Sequence, residues 1–458
     1  MQHPHRHVEN MYEQLNGYPL LDALRHRRSR RFAKGMCLDG GPLSYESRHP
    51  PQPLSLEEEA ALAFAACGIT GHALAELPFQ SGREPESGGG NMMVHFISRT
   101  VASGDALHVV SLFVINDDGV WLLKRPQDFP RSELPDLLEK AREGRLVELY
   151  EASRVRIADR RVDIPREVPF ILSVNKWSVN MPSTTFFLPV IELTAMYINL
   201  LLIVFEPEYG YFIVDDRNNF RPAGIGKFGR SRGGHLYDDP ATGRIGPVNQ
   251  AETFLHEISA LEEGAVLQNL GLMTQALGLG GFPNYAAHPF IWLKALGFRL
   301  AQSSVSDIYG LGSFKKAILT MLRKNVTLPT AVGLEKDGEV LLKPFCPPYY
   351  RSMEEAVLAF VDYKYGAGRG TSRDGGAASA WQDGKAVQAG IPRCSDEAIA
   401  ATIAYCEYIY GHYGRFPAQQ GPFRTVLGYQ AHHVDVDFYD RFYHEDALTE
   451  TQRRHPDH

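Results

Sequence analysis

The pattern of apolar and polar positions changes period repeatedly along the chain, and each change marks an expected element. A helix is predicted over residues 18–31, apolar at its start and basic at its end. A second helix begins at Ser55, whose hydroxyl can cap it while Glu58 answers as the capping-box partner. The run 60–66 continues that helix and Gly68 stops it. Residues 80–91 are polar and Gly-rich, hence a loop. The β-branched runs 109–116 and 120–124 flank Asp117, Asp118 and Gly119, a hairpin signal. Residues 134–150 read as an amphipathic helix, 168–175 as a short buried strand, and 211–214 as another strand. The apolar stretch 186–205 is broken by Pro189, Glu192, Thr194 and Asn199 and reads as a buried helix rather than a membrane span.

Residues 217–246 are dense in Gly, Arg and Pro, a long loop. The strongest helix is 252–277, ended by the glycines of 278–281. A strand follows the Lys336-Asp337-Gly338 turn at 340–343. Residues 344–350 mark a boundary, followed by helices at 353–365 and 395–412 around a flexible Gly/Ala/Ser stretch at 366–390. The division expected is therefore a tail (1–14), a main domain (15–350) and a C-terminal extension (351–458). Helices, hairpins and isolated strands in this mixture predict an α+β fold.

Composition narrows the function classes. The chain has 458 residues, enough to bury a large core, and 22% charged residues are ordinary for a soluble globular protein. A net charge of −7 argues against non-specific nucleic-acid binding. Cys37, Cys67, Cys346, Cys394 and Cys406 are scattered, odd in number and form no CxxC pair. A disulfide framework or cysteine zinc site is not expected, and a reducing cytoplasm fits. The His-rich N-terminus has no apolar core and is not read as a signal peptide.

Three segments carry candidate chemistry. Arg27, Arg28, Ser29, Arg30 and Arg31 form either a solvated basic face or a phosphate grip, since guanidinium forks match phosphate oxygens bidentately. The loop from Pro85 through Ser87 to Asn91 contains glycines that let backbone approach a planar ligand. Asn91 offers both a donor and an acceptor. The third segment runs from Glu262 through Gly264, Gln268, Asn269 and Leu270 to Leu279, Gly280 and Gly281. It is a helix with small residues on one side leading into a Gly-rich turn.

In this order the three segments resemble the nitroreductase-like, FMN-dependent family over roughly residues 15–350. The loop 83–90 and the hairpin after it resemble the azoline-oxidising dehydrogenase branch more than the small nitroreductases. The resemblance implies a mixed or antiparallel sheet surrounded by helices, and a homodimer with FMN at the interface. It implies that Arg27, Ser29 and Arg31 hold the phosphate and ribityl chain, and that Ser87 and Asn91 face the isoalloxazine ring. Leu279, Gly280 and Gly281 would place amides near flavin N5. The activity implied is hydride transfer from reduced nicotinamide, NAD(P)H, or an organic substrate to a second acceptor. Met92, Met93 and Val94 replace the Gln-Pro-Trp usual after the loop. The late basic pair has no clear match beyond Lys315, Lys316 or Lys343.

Other signals carry less. Gly224, Gly226 and Gly229 match GxGxxG, but the Gly- and Pro-containing stretch 230–240 cannot form the helix a dinucleotide fingerprint needs. His432, His433, Asp435, Asp437 and His444 suggest a metal cluster, yet the interleaved Val434, Val436 and Phe438 alternate like a strand that puts His433, Asp435 and Asp437 on one face of a polar segment. No metal is expected. Cys67, between Ala66 and Gly68, reads as buried rather than nucleophilic. The aromatic-rich tail should pack on the main domain or on a partner. The alternatives to an FMN oxidoreductase are a peptide or natural-product dehydrogenase and a flavin-free scaffold built on the same fold.

Overall fold

The computed structural model describes residues 5–74, 97–104, 106–168, 170–285, 289–373 and 379–455. The loop 80–91, with Ser87 and Asn91, lies outside the described residues. The elements that position the site are the helices α1 (Leu20–His26), α2 (Leu56–Cys67), α3 (Leu134–Arg142), α4 (Leu146–Ser153), α5 (Leu193–Val204), α6 (Val248–Leu277), α7 (Met353–Tyr365), α8 (Asp396–Tyr413), α9 (Val436–Phe442) and α10 (Glu450–Arg454). The strands are β1 (Val110–Asn116), β2 (Gly119–Leu123), β3 (Arg154–Ala158), β4 (Thr185–Glu192), β5 (Gly280–Tyr285), β6 (Phe298–Ser304), β7 (Thr327–Lys336), β8 (Glu339–Leu342), β9 (Phe423–Arg424) and β10 (Leu427–His432).

The principal sheet has the order β5-β10-β4-β1-β2-β3, every neighbouring pair antiparallel, with β9 also pairing with β4. Alternation builds two cores. Val110, Leu112 and Val114 of β1 with Phe187 and Ile191 of β4 face the core that contains α2, α5, α6 and α8. Phe113 and Ile115 with Phe186, Leu188 and Val190 face the small sheet β6-β7-β8. Each large apolar side chain fully buried here contributes about 1.5–3 kcal/mol relative to exposure. The mixed α+β architecture with antiparallel sheets agrees with the sequence reading.

The capping box at α2 is present in both directions: Glu58 N–H donates to Ser55 Oγ (3.2 Å) and Ser55 N–H to Glu58 Oε2 (2.7 Å). The hairpin pairs Asn116 with Gly119. The long helix ends at Gly278, in the left-handed conformation at φ 78°.

Several expectations need correction. The stretch 186–205 is not one helix: β4 runs to Glu192, and α5 begins at Leu193. Pro189 removes a donor that a helix interior needs, and the Glu192 carboxylate caps α5 by accepting from Thr194 N (2.7 Å) and Ala195 N (3.1 Å). The strand expected at 168–175 is a turn followed by a short 3-10 helix, Ser173–Asn175, with Val168, Leu172 and Val174 exposed. No strand among the described residues pairs with it, and an apolar run alone does not fix an extended conformation. The helix over 134–150 breaks at Gly144 (φ 71°) into α3 and α4. The strand expected around 433–438 stops at His432. Asp435 then caps α9 by accepting from Phe438 N (3.0 Å).

The chain beyond 350 joins the same core. β10 is an interior strand between β5 and β4, and α8 packs on α5 and α7. Within 366–390, Gly384–Gly390 forms a short helix, and residues 374–378 lie outside the described set. Among the described residues no helix is long and apolar enough to cross a membrane.

Candidate cofactor site around the arginine run

α1 ends at His26, where Arg27 N–H still donates to Ala23 O (3.0 Å) and the chain turns extended. The five residues that follow divide sharply. Arg27, Arg28 and Ser29 are exposed, Arg31 is half-buried, and Arg30 is 3% exposed.

Arg27 lies along α6 at Gly271, where an added Cβ would stand 3.2 Å from Arg27 Cδ. Among the described residues its guanidinium has no hydrogen-bond or ion-pair partner, which leaves its exposed fork open to an anion. Arg30 is spent internally: Nε donates to Ala447 O (2.9 Å), one terminal nitrogen to Gln275 Oε1 (3.0 Å), and its backbone N–H to Gly281 O (3.3 Å). Burial lowers the pKa of this guanidinium. Arg31 donates to Asn175 Oδ1 (3.2 Å) and sits over the Phe282 ring at 4.6 Å. Asn175 in turn donates to Asn284 (2.8 Å).

The arginine run therefore meets the end of α6 and the strand β5, two segments the sequence reading had joined only by resemblance. Leu279 is buried, its N–H bound to Thr274 O (3.0 Å). Gly280 and Gly281 pair with His432 and Ala431 of β10. β5 lies at the end of the sheet order, where the buried Gly281 accepts on its carbonyl from the Arg30 backbone, so the arginine run covers this edge. The reason for glycine here is local. A Cβ at Gly280 would stand 2.7 Å from His432 Nε2, and one at Gly281 would stand 2.7 Å from Tyr429 Oη.

Tyr429 and His432 are thus site residues that sequence reasoning missed as such, although both lay in the aromatic and His-rich tail it singled out. Burial drives the Tyr429 phenol up to about 12, against a hydrogen bond with Thr274 and the charges of Arg27 and Arg30. Burial, aided by His433, drives His432 down to about 3, so its imidazole is neutral at physiological pH.

The remaining candidates sit elsewhere. Lys316 pairs with Asp307 (2.7 Å) and Lys343 stacks on Tyr350 (5.0 Å). Arg217, at the start of the expected long loop, is fixed by two bonds to Asn249 (3.0 and 2.7 Å). Gly226–Phe228 is a single 3-10 turn, without the strand-to-helix context of a dinucleotide site. Cys67 is buried, and burial raises its thiol pKa.

No protein-family profile matches the chain. No curated protein matches it either. Among solved structures, a crystal structure of a presumed nitroreductase from Ralstonia eutropha JMP134 aligns over 61% of this chain and 75% of its own. The identity is 13% and the TM-score 0.26. A superposition at that level establishes neither a shared fold nor a shared activity.

Proposed function

We propose that the protein is an FMN-dependent oxidoreductase whose cofactor phosphate is held at the arginine run. One observation carries this reading. The exposed Arg27 and Arg28 precede Arg30, whose bonds to Gln275 and Gly281 join the arginine run to the end of α6 and to β5, bringing together two motifs far apart in sequence. The donor set fits an anionic phosphate: the exposed guanidinium groups of Arg27 and Arg28 and an exposed Ser29 hydroxyl. FMN, when bound, supplies two-electron transfer at N5 between NAD(P)H or an organic donor and a second acceptor. The protein's share is to anchor the phosphate, orient the ring and exclude water. Arg31 on Phe282 stiffens one wall. An azoline-oxidising peptide dehydrogenase is the narrower form of the same proposal. It rests on the loop 83–90 and the hairpin of β1 and β2.

A second reading is favoured by a specific observation. Gly280 and Gly281 are already closed against His432 and Tyr429, so their lack of side chains serves strand packing and needs no ring beside it. A flavin-free scaffold would use the fold in this way.

An absorbance scan of the purified protein, followed by heat release and identification of the ligand, separates the two. The oxidoreductase reading expects flavin bands and released FMN. It also expects Arg27→Ala to weaken retention by about 10-fold or more, the loss of a charge-assisted bidentate contact, with the melting temperature unchanged. Arg30→Ala is no substitute for this test, because it also breaks structural bonds. A colourless protein that takes up no added FMN leaves the scaffold reading in its place.

A further inference from the structure

Three potential metal ligands from distant parts of the chain meet at one point. Glu58 stands in the first turn of α2, His433 directly follows β10, and His455 directly follows α10. Glu58 Oε1 lies 2.7 Å from His455 Nε2, and Glu58 Oε2 lies 3.4 Å from His433 Nε2. The two imidazoles stack at 5.0 Å with their planes 17° apart. One ligand atom from each residue lies within 4.8 Å of the others.

The contact between Glu58 and His455 is close but not aligned. His455 Nε2 is shielded from solvent, and although it lies within contact distance of Glu58 Oε1 its angle does not meet that of a well-directed hydrogen bond. Donor atoms that converge on a shared centre, rather than on each other, have this arrangement. A tetrahedral ion with bonds of about 2.0–2.1 Å sets its ligand atoms about 3.3 Å apart, a spacing that small side-chain shifts would reach from the 2.7 and 3.4 Å contacts to the two Glu58 oxygens. The carboxylate is also pre-positioned, because the Ser55 N–H of the capping box holds Oε2 at 2.7 Å. Its ion-pair partners among the described residues are these two imidazoles. A buried carboxylate with no Arg or Lys beside it needs a positive charge, either a bound cation or a proton on one of these imidazoles.

We propose that Glu58, His433 and His455 bind a divalent first-row transition ion, of the zinc class, with water completing the shell on the side of His455. The donor set of two imidazoles and one carboxylate leaves an open position for that water. The His455 side chain is 18% exposed, against 4% for Glu58, so solvent reaches the site from that side. The ion pins the last described residues of the chain to the start of α2. This inference is independent of the flavin reading, since among the described residues no side-chain hydrogen bond or ion pair links the three residues to the arginine run.

The test uses the full chain, dialysed against a chelator and titrated with Co2+ while its visible ligand-field bands are recorded. Saturation at one ion per chain, reversed by Zn2+ and accompanied by a higher melting temperature with Zn2+, is the expected result. Second-sphere changes at metal sites cost about 10–100-fold in affinity, so His455→Ala, which removes a ligand outright, should cost more than that. His455 is partly exposed and belongs to none of the hydrophobic clusters, so its removal keeps the core intact. The combined variant His3→Ala, His5→Ala and His7→Ala should bind as the natural chain does. The proposal is overturned if the natural chain takes up no Co2+, if His455→Ala leaves the bands unchanged, or if the N-terminal variant abolishes them. A protonated imidazole on Glu58 would hold the same cluster together and give none of these signals.

Discussion

Arg27 and Arg30 belong to one basic run, but their surroundings give them opposite work. Arg30 turns its guanidinium into the protein and ties α1 to the end of α6 and to residue 447. Arg27 stays at the surface. Spacing alone could not separate them, because α1 stops at His26 and the run leaves the helix before its helical period would apply. His256 makes a prediction at this scale. Burial, reinforced by the charge of Arg424, lowers its pKa from 6.5 to about 4. Below pH 6.5 the unfolded chain binds a proton that the folded one refuses. Stability should therefore fall as the pH drops from about 6.5 to about 4 and level off below. The ceiling on this loss is about 3 kcal/mol, reduced because the ring is only partly buried. Urea denaturation across that range should show the loss, and His256→Leu should flatten it; an identical profile in the variant would assign the acid sensitivity to other groups.

At the scale of elements, α6 organises the core in a way its pattern conceals. Three of its carboxylates are buried and receive backbone N–H groups from neighbouring segments. Glu252 accepts from Ala418 (2.7 Å) and Gln419 (2.8 Å), Glu262 from Val110 (3.1 Å), and Glu263 from Val426 (2.9 Å) and Leu427 (2.6 Å). Adjacent glutamates at 262 and 263 would ordinarily mark a solvated helix face. Here they satisfy donors that lie beyond the ends of regular pairing, including the first residue of β10. Glu263→Ala should strand two of those donors and cost about 2 kcal/mol of stability, at about 1–3 kcal/mol for a buried unsatisfied group. Glu263→Gln, which keeps an acceptor, should cost less. Equal unfolding midpoints for all three proteins in a urea series would show that water replaces the carboxylate. The same scale explains the misread stretch 186–205. Its apolar run has no period to read, so Pro189 and the capping carboxylate of Glu192, rather than hydrophobicity, mark the switch from strand to helix.

At the scale of the whole molecule, α1 carries one of several exposed apolar faces among the described residues. Leu20, Leu21 and Leu24 are 66%, 56% and 51% exposed, immediately before the arginine run. A homodimer that completes the proposed cofactor site from both chains would bury them. Leu21→Glu with Leu24→Glu should convert a dimer to a monomer in light scattering, and the monomer should lose its flavin. A chain that is already monomeric, or flavin that survives in the monomer, would remove the dimer from the proposal. The tail contributes at this scale as well. The expected packing of its aromatics is present, and β10 goes further by filling an interior place in the principal sheet.

Local chemistry was enough to read several parts of this protein from the sequence. They include the capped start of α2, the hairpin at Gly119, the long α6 with its glycine stop, the helices α7 and α8, and the α+β class. Each depends on residues close together in the chain, so each was visible there. Only the tertiary structure decided which arginine faces solvent, why residues 280 and 281 must be glycine, and which partners His433 finds. Those answers come from β10 and α10 folding back onto segments more than a hundred residues away. Register, burial and side-chain convergence at such distances arise from packing and leave no periodic trace in sequence.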